Sequence, residues 1–205
     1  NSKVNIIQYI NPSKIRKDVI KKLVNYSLPL MPNSMMWWVI NASSRYFILI
    51  FAGTVFNGLF AVASKIPGIF SIFNSIFFKA WQLSAIEEYN SDEKGKFYST
   101  IFNYYQQFLF LANALALIFI KPIFLIAIDE KFYNAWIYVP FLLVASLFSS
   151  FSSVFGANYI AAKKTMGVFK TSVIGVIGNI VVSIILISII GINGAAIGST
   201  LGFAV

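Results

Sequence analysis

The chain has 205 residues, of which 58% are hydrophobic and only 11% are charged, whereas soluble domains are about 45–50% apolar and about 25% charged. This composition excludes an ordinary soluble domain and is typical of helices that face lipid. The sequence contains no Cys and no His, which excludes disulfides and thiolate chemistry and removes the commonest general base and metal ligand. We therefore predict an all-α integral membrane protein that is not an enzyme and needs no metal or cofactor.

Residues 1–22 are polar and basic, which indicates a cytoplasmic linker before a transmembrane bundle at 23–205. The apolar stretches that follow predict spans at about residues 24–51, 58–83, 98–120, 136–160, 166–190 and 194–205. Pro67-Gly68 interrupts the second span. The last stretch would form a helix of about 18 Å, shorter than the hydrocarbon core of about 30 Å. We therefore expect a piece of a longer membrane protein, with its sixth helix truncated.

The loop lysines and arginines set the expected orientation, because cytoplasmic loops carry the excess of basic residues. One side holds Lys3, Lys14, Arg16, Lys17, Lys21, Lys22, Lys94, Lys96, Lys163, Lys164 and Lys170, and the other holds Lys121 and Lys131. The first side is therefore predicted to be cytoplasmic. Topology also explains the net charge of +9, so no nucleic-acid partner is expected.

Arg45, Lys65 and Lys79 lie inside the predicted spans, where no acidic residue accompanies them. A cation at the bilayer centre costs about 2.5–3.5 kcal/mol on insertion scales, so such residues usually face a cavity. Lys65 and Lys79 are about four turns apart and are expected to share one helix face. Two interpretations stay open: the cations line a cavity for an anionic cargo, or they extend to the nearer membrane surface.

Polar residues recur inside the first, third and fourth spans. They are Asn33, Ser34, Asn41, Ser43 and Ser44, then Gln106, Gln107 and Asn113, and finally Ser146, Ser149, Ser150, Ser152, Ser153 and Asn158. They either form hydrogen bonds between helices or line a hydrated lumen that accommodates a sugar. Gly175, Gly178, Gly194 and Gly198 stand near GxxxG spacing, which predicts close packing of the last two helices.

Several stretches, taken in their order along the chain, carry a family resemblance. They are Leu28-Pro29-Leu30-Met31-Pro32 with Trp37, Ser43-Ser44-Arg45-Tyr46-Phe47, Gly58 to Pro67, Phe78-Lys79-Ala80-Trp81, Gly156-Ala157-Asn158-Tyr159 with Lys163-Lys164-Thr165, and Gly191 to Gly198. Together they resemble polysaccharide biosynthesis proteins of the Wzx type, which are lipid-linked oligosaccharide flippases of the multidrug/oligosaccharidyl-lipid/polysaccharide (MOP) exporter superfamily. One departure is Ser44, where the family often has an acidic residue.

The resemblance implies the C-terminal six-helix bundle of a MATE-like (MOP) transporter in the bacterial inner, or cytoplasmic, membrane. Such a protein moves an undecaprenyl-pyrophosphate-linked oligosaccharide to the outer leaflet during O-antigen or capsule synthesis. The resemblance further implies that Arg45 and Lys65 contact the pyrophosphate and that Lys79 is a third cation in the cavity. The implied partners are the lipid bilayer, the lipid-linked oligosaccharide, the N-terminal half of the same transporter and the polysaccharide polymerase machinery.

Three other functions remain open from the residues alone. The first is a cation-coupled multidrug exporter of the same superfamily, which would need an acidic site elsewhere and whose cargo the unpaired cations would repel. The second is a membrane-embedded polymerase or glycosyltransferase, which would need lumenal acids or Arg-rich external loops. The third is a non-transporting scaffold subunit. The sequence has no Walker loop and no nucleophile–base pair, so a transporter would draw on an ion gradient, the membrane potential or the cargo gradient.

Overall fold

The computed structural model describes residues 17–28 and 30–205. The first sixteen residues of the predicted linker, Pro29, and the side chains of Pro32, Asn33 and Met36 lie outside the described residues. Within the described ranges 92% of the residues are helical and no strand is present. The helices are α1 (Lys17–Ser27), α2 (Leu30–Phe51), α3 (Thr54–Ala63), α4 (Lys65–Glu87), α5 (Lys94–Ala127), α6 (Val139–Ala161), α7 (Thr165–Ile190) and α8 (Ile192–Ala204), with short 3-10 helices at Glu88–Asn90 and Glu130–Tyr138.

Four helical segments are long and apolar enough to cross a membrane. They are Lys65–Asn90, Lys94–Ala127, Glu130–Ala161 and Thr165–Ile190. The shortest has 26 residues, which at 1.5 Å per residue is about 39 Å and exceeds the hydrocarbon core of about 30 Å. The chain is therefore an all-α, multi-pass membrane protein, as the composition predicts.

The second predicted span is interrupted at Ser64, between α3 and α4, rather than at Pro67-Gly68. Pro67 lacks an amide N–H, and its ring crowds the carbonyl of the residue four positions earlier. That residue is Ala63, where α3 ends. At the end of α3 the Phe60 carbonyl accepts from the Ser64 backbone N–H at 2.9 Å and from the Ser64 hydroxyl at 2.7 Å.

Helix α5 continues to Ala127 through Pro122, past the predicted end of the third span at residue 120. The segment 121–135, which lies between the predicted third and fourth spans, is therefore partly helix. The turn out of α5 is instead made by Asp129, whose side chain accepts from the Lys131 backbone N–H at 3.0 Å and caps the 3-10 helix Glu130–Tyr138.

Helix α8 lies in the middle of the bundle. It packs on α7, α6 and α2, and α4 packs on α6. One buried apolar cluster includes Ile48 of α2 and Leu143 of α6, and a second includes Trp81 of α4 and Leu147 of α6. Helices α2 and α4 are thus held in the same bundle through α8 and α6, and a cavity lies between them.

Helices α7 and α8 approach so closely that glycine is needed where they touch. A Cβ on Gly175 would overlap the carbonyl oxygen of Gly202, and a Cβ on Gly198 would overlap the hydroxyl of Ser183. A Cβ on Gly178 would meet no atom within 4 Å. A Cβ on Gly194 would overlap the backbone of Leu186 and Ile187. The predicted close packing is therefore confirmed at Gly175, Gly194 and Gly198, whereas Gly178 takes no part in it.

Candidate functional site

A cavity of about 620 Å³ opens between α2 and α4, with α6 and α8 as its floor. We call it the arginine groove. It is lined by Trp37, Trp38, Asn41, Ala42, Ser44 and Arg45 of α2, by Phe60, Ser64, Pro67, Gly68, Ser71 and Asn74 of α3, α4 and their junction, by Leu142, Ala145, Ser146, Ser149 and Ser150 of α6, and by Ser199 and Phe203 of α8. Among these described lining residues, Arg45 alone carries a charge.

Helix α4 presents a polar face to the arginine groove. Ser64, Gly68, Ser71 and Asn74 follow one another at intervals of three or four residues, the spacing of one helix face. The Tyr105 hydroxyl of α5 donates to Asn74 Oδ1 from behind. That bond fixes the orientation of the amide and leaves Asn74 Nδ2 to donate into the groove.

Lys65 and Lys79 lie together on a different face of α4, as their spacing predicts. This face also carries Ile69, Ile72 and Ile76, whose side chains are 52%, 62% and 64% exposed. Both lysines are exposed, and neither lines the arginine groove. On such an apolar face the ammonium groups can extend to the nearer membrane surface. The structure thus places only Arg45 of the three predicted cations in the groove, and cargo binding by the two lysines stays a prediction.

Arg45 stands on the same face of α2 as Trp38 and Asn41, again at intervals of three and four residues. Asn41 Nδ2 donates to the Trp37 carbonyl at 2.8 Å, so Asn41 Oδ1 remains as an acceptor. The Arg45 guanidinium makes no hydrogen bond or ion pair with any described residue. Its N–H donors, five in a guanidinium, are therefore available to a ligand.

The α6 serines contribute acceptor oxygens to the groove. Ser146 Oγ donates to the Leu143 carbonyl and Ser150 Oγ donates to the Ser146 carbonyl, each at 2.8 Å. Because the Ser146 hydroxyl proton is used inside the helix, the oxygen lone pairs are what Ser146 offers to a ligand. Ser150 is buried and its side chain also bonds to Tyr105. With Arg45 and Asn74 as donors, the groove matches sugar hydroxyls, which both donate and accept.

A buried polar cluster ties α2 to α7 and α8 beside the arginine groove. It consists of Ser43, Ser44, Asn179, Ser183 and Ser199. Ser43 Oγ donates to Asn179 Oδ1 at 3.0 Å, and Asn179 Nδ2 donates to Ser199 Oγ at 3.4 Å. The Ser44 and Ser199 hydroxyls are bonded at 3.1 Å. Since Ser44 directly precedes Arg45, the cluster fixes the position at which α2 delivers Arg45 to the groove.

Replacing Asn179 with Ala should destabilise the bundle by about 1–2 kcal/mol, because hydrogen bonds between membrane helices are worth about 0.6–1.7 kcal/mol and their unpaired partners add to the loss. Asn179 is fully buried. Thermal unfolding of the purified protein in detergent measures the effect. Asn134→Ala is the matched control, since Asn134 is exposed in the 3-10 helix Glu130–Tyr138. Equal melting temperatures for the two variants would contradict the role of the cluster.

A second cavity, of about 780 Å³, adjoins the arginine groove and shares Trp37 and Phe203 with it. We call it the aromatic cavity. Its other lining residues are Ser34, Ile40, Phe78, Phe148, Phe151, Ser152, Ser153, Phe155, Gly156, Asn158, Tyr159, Ile160, Val168, Thr171, Ser172, Gly202, Ala204 and Val205. These described residues include no charged side chain, and neither Lys65 nor Lys79 is among them.

The two interpretations of the intramembrane polar residues each apply to different residues. Ser43 makes a hydrogen bond between helices, to Asn179, whereas Asn41 and Ser149 line the groove. Asn113, in the third predicted span, bonds to the Leu109 carbonyl of its own helix at 2.7 Å. The third span thus supplies no lining residue to either cavity.

Comparison with protein-family models, with curated proteins and with solved structures gives no match to this chain. The family resemblance therefore stays a prediction that depends on the stretches quoted above. Within the described part of the chain, no group of three or more His, Cys, Asp or Glu residues is placed to hold a metal ion.

Sequence reasoning missed two pairs of residues that contribute to the site. Ser71 and Asn74 line the groove, and a signal for them exists: polar residues at helical spacing within an otherwise apolar helix. Asn179 and Ser199 hold α2 in place, and their only signal is that each is a polar residue in a largely apolar stretch. Such residues do not reveal their partners without the tertiary structure.

Proposed function

We propose that this chain is one half of a non-enzymatic transporter that moves an undecaprenyl-pyrophosphate-linked oligosaccharide across the bacterial cytoplasmic membrane. In this proposal the chain is the C-terminal bundle of a MATE-like (MOP) fold, and it works with an N-terminal half during surface polysaccharide synthesis. The family resemblance of the quoted stretches supports the cargo, and the arginine groove supports the chemistry. The polymerase that uses the exported glycan is a further proposed partner.

The observation that carries the proposal is the environment of Arg45. The Arg45 guanidinium is exposed and lines the arginine groove without a carboxylate partner among the described residues, and it provides a planar fork of donors. This fork matches two phosphate oxygens at once, which an ammonium cannot do. A pyrophosphate would supply the negatively charged partner that Arg45 lacks among the described residues.

The rest of the arginine groove fits the glycan part of such a cargo. Serine oxygens of α6 offer acceptors at the floor of the groove, and the Asn74 amide nitrogen offers a donor on the α4 side. Trp37 and Trp38 add flat apolar surfaces at its edge, and Trp38 is 66% exposed. Sugar rings present both hydroxyl groups and apolar C–H faces, so both kinds of surface would be used.

A multidrug exporter of the same superfamily is the second candidate, and the aromatic cavity favours it. Phe148, Phe151 and Phe155 line a cavity without a charged side chain among its described residues, and aromatic faces attract organic cations. Arg45 in the adjoining groove would repel such a cargo. We therefore rank export of organic cations below export of a pyrophosphate-linked glycan.

A topological assay in cells separates the two candidates. When the full-length protein is depleted, the lipid-linked oligosaccharide should remain in the inner leaflet, where glycosidase added outside spheroplasts cannot reach it. Restoring the protein should return the cargo to the outer leaflet while its total amount stays the same. An unchanged outer-leaflet fraction together with slower ethidium efflux would reject the glycan and favour the multidrug exporter.

A further inference from the structure

Helix α1 has two chemically distinct faces. At 100° per residue its charged residues and Asn25 fall within an arc of about 140°, and they are Lys17, Asp18, Lys21, Lys22 and Asn25. Ser27, the last residue of the helix, lies outside this arc. The opposite arc holds Val19, Ile20, Leu23, Val24 and Tyr26. The polar face carries three lysines against one carboxylate, so it has a net positive charge.

The apolar face of α1 is not covered by the described part of the bundle. No residue of α1 is buried, and Val19, Ile20, Leu23 and Val24 are 47%, 45%, 59% and 49% exposed. Apolar residues on one face of a charged helix are typical of helices that lie in the membrane interface. Such a helix buries its apolar face about 5–10 Å into the boundary between headgroups and acyl chains.

One contact positions α1 relative to the membrane-spanning helices. The Tyr26 hydroxyl donates to the carbonyl of Ile160 at 3.4 Å, in the last turn of α6. Lys163 and Lys164 follow in the loop between α6 and α7, and both are exposed. The end of α1 therefore lies beside the end of α6, a helix long enough to span the membrane. Lys163 and Lys164 of the α6–α7 loop are close in sequence to this contact.

We infer that α1 is an interfacial helix that binds an anionic phospholipid surface. Its apolar face enters the acyl region, and its lysines contact the headgroups on the side of the α6–α7 loop. The charge of α1 indicates what covers its apolar face. Lysines at the edge of an apolar face fit an anionic lipid surface, whereas a protein that covered the same face would need acidic residues opposite these lysines.

Single-cysteine labelling of the full-length protein tests this inference, because this chain contains no Cys. Ile20→Cys probes the apolar face and Asn25→Cys is its matched control on the polar face. Each is labelled with an environment-sensitive fluorophore in vesicles of phosphatidylcholine alone or of equal parts phosphatidylcholine and phosphatidylglycerol, with a nitroxide quencher high on the acyl chain. We expect quenching at position 20 to exceed that at position 25 about two- to threefold, with a larger difference in phosphatidylglycerol.

Replacing Lys21 and Lys22 together with Glu should remove the dependence on phosphatidylglycerol. Equal quenching at positions 20 and 25 would overturn the inference. A blue-shifted label at position 20 that the lipid quencher cannot reach would also overturn it, since that result indicates a protein partner on the apolar face.

Discussion

Gly175→Ala should lower the melting temperature of the protein in detergent by about 4–8 °C, the shift that about 2 kcal/mol produces in a protein of this size. The added methyl group would overlap the backbone carbonyl oxygen of Gly202. A backbone atom cannot rotate away, so α7 and α8 would have to separate, and overpacking of this kind costs about 1–3 kcal/mol. Intrinsic tryptophan fluorescence during thermal unfolding measures the shift.

Gly178→Ala is the matched control for that experiment. Gly178 lies in the same helix, less than one turn further on, and a Cβ there would meet no atom within 4 Å. Ala is also favoured over Gly by about 0.8–1.0 kcal/mol in a helix interior. We therefore expect an unchanged or higher melting temperature for Gly178→Ala. If both variants melted at the same temperature, the close contact between α7 and α8 would not exist as described.

Arg45→Ala should reduce transport of the lipid-linked oligosaccharide by about tenfold or more. Hydrogen bonds to charged groups contribute about 1.5–3 kcal/mol, and each 1.4 kcal/mol or so changes an equilibrium tenfold. Arg45→Lys should retain part of the transport, because an ammonium keeps the charge but cannot bind two phosphate oxygens with a planar fork. The measurement is the outer-leaflet fraction of the cargo in cells that express each full-length variant at equal levels.

The lysines of α4 provide the comparison for Arg45. Lys65 and Lys79 are both exposed and line neither cavity, so Lys65→Ala and Lys79→Ala test the cargo contacts that the family resemblance implies. A loss as large as that of Arg45→Ala in either variant would place a second cation at the cargo, and unchanged transport would remove that lysine from the site. Full transport by Arg45→Ala would reject the pyrophosphate role. Folding is not expected to change in this variant, because Arg45 bonds to no described residue.

The helical class was predictable, and four of the six predicted spans coincide with described segments that are long and apolar enough to cross a membrane. Long apolar runs predict spanning helices because a bilayer leaves the backbone few alternatives. The boundaries moved where local chemistry decided them, as at Ser64, where Pro67 acts one turn upstream, and at Asp129, whose side chain caps the next helix. Arg45 was predicted to face a cavity because a cation among apolar residues is costly, and it lines the arginine groove. The same argument selected Lys65 and Lys79, which do not line it.

The direction in which each helix faces was not predictable. Ser64 and Lys65 are adjacent, yet Ser64 lines the arginine groove and Lys65 does not. In a soluble protein the apolar face of a helix marks its buried side. In a membrane, lipid tails are as apolar as the protein interior, so hydrophobic periodicity carries little information about which face is inside.

The sequence by itself therefore determined that the chain spans a membrane as helices and that it carries a costly cation without an acidic neighbour. Only the tertiary structure decided that Arg45 lies in a groove with serine and asparagine side chains, and that Asn179 and Ser199 hold its helix there. The reason is physical: the cost of a charge in lipid is a property of one residue, whereas a groove and its hydrogen bonds exist only when distant helices pack together.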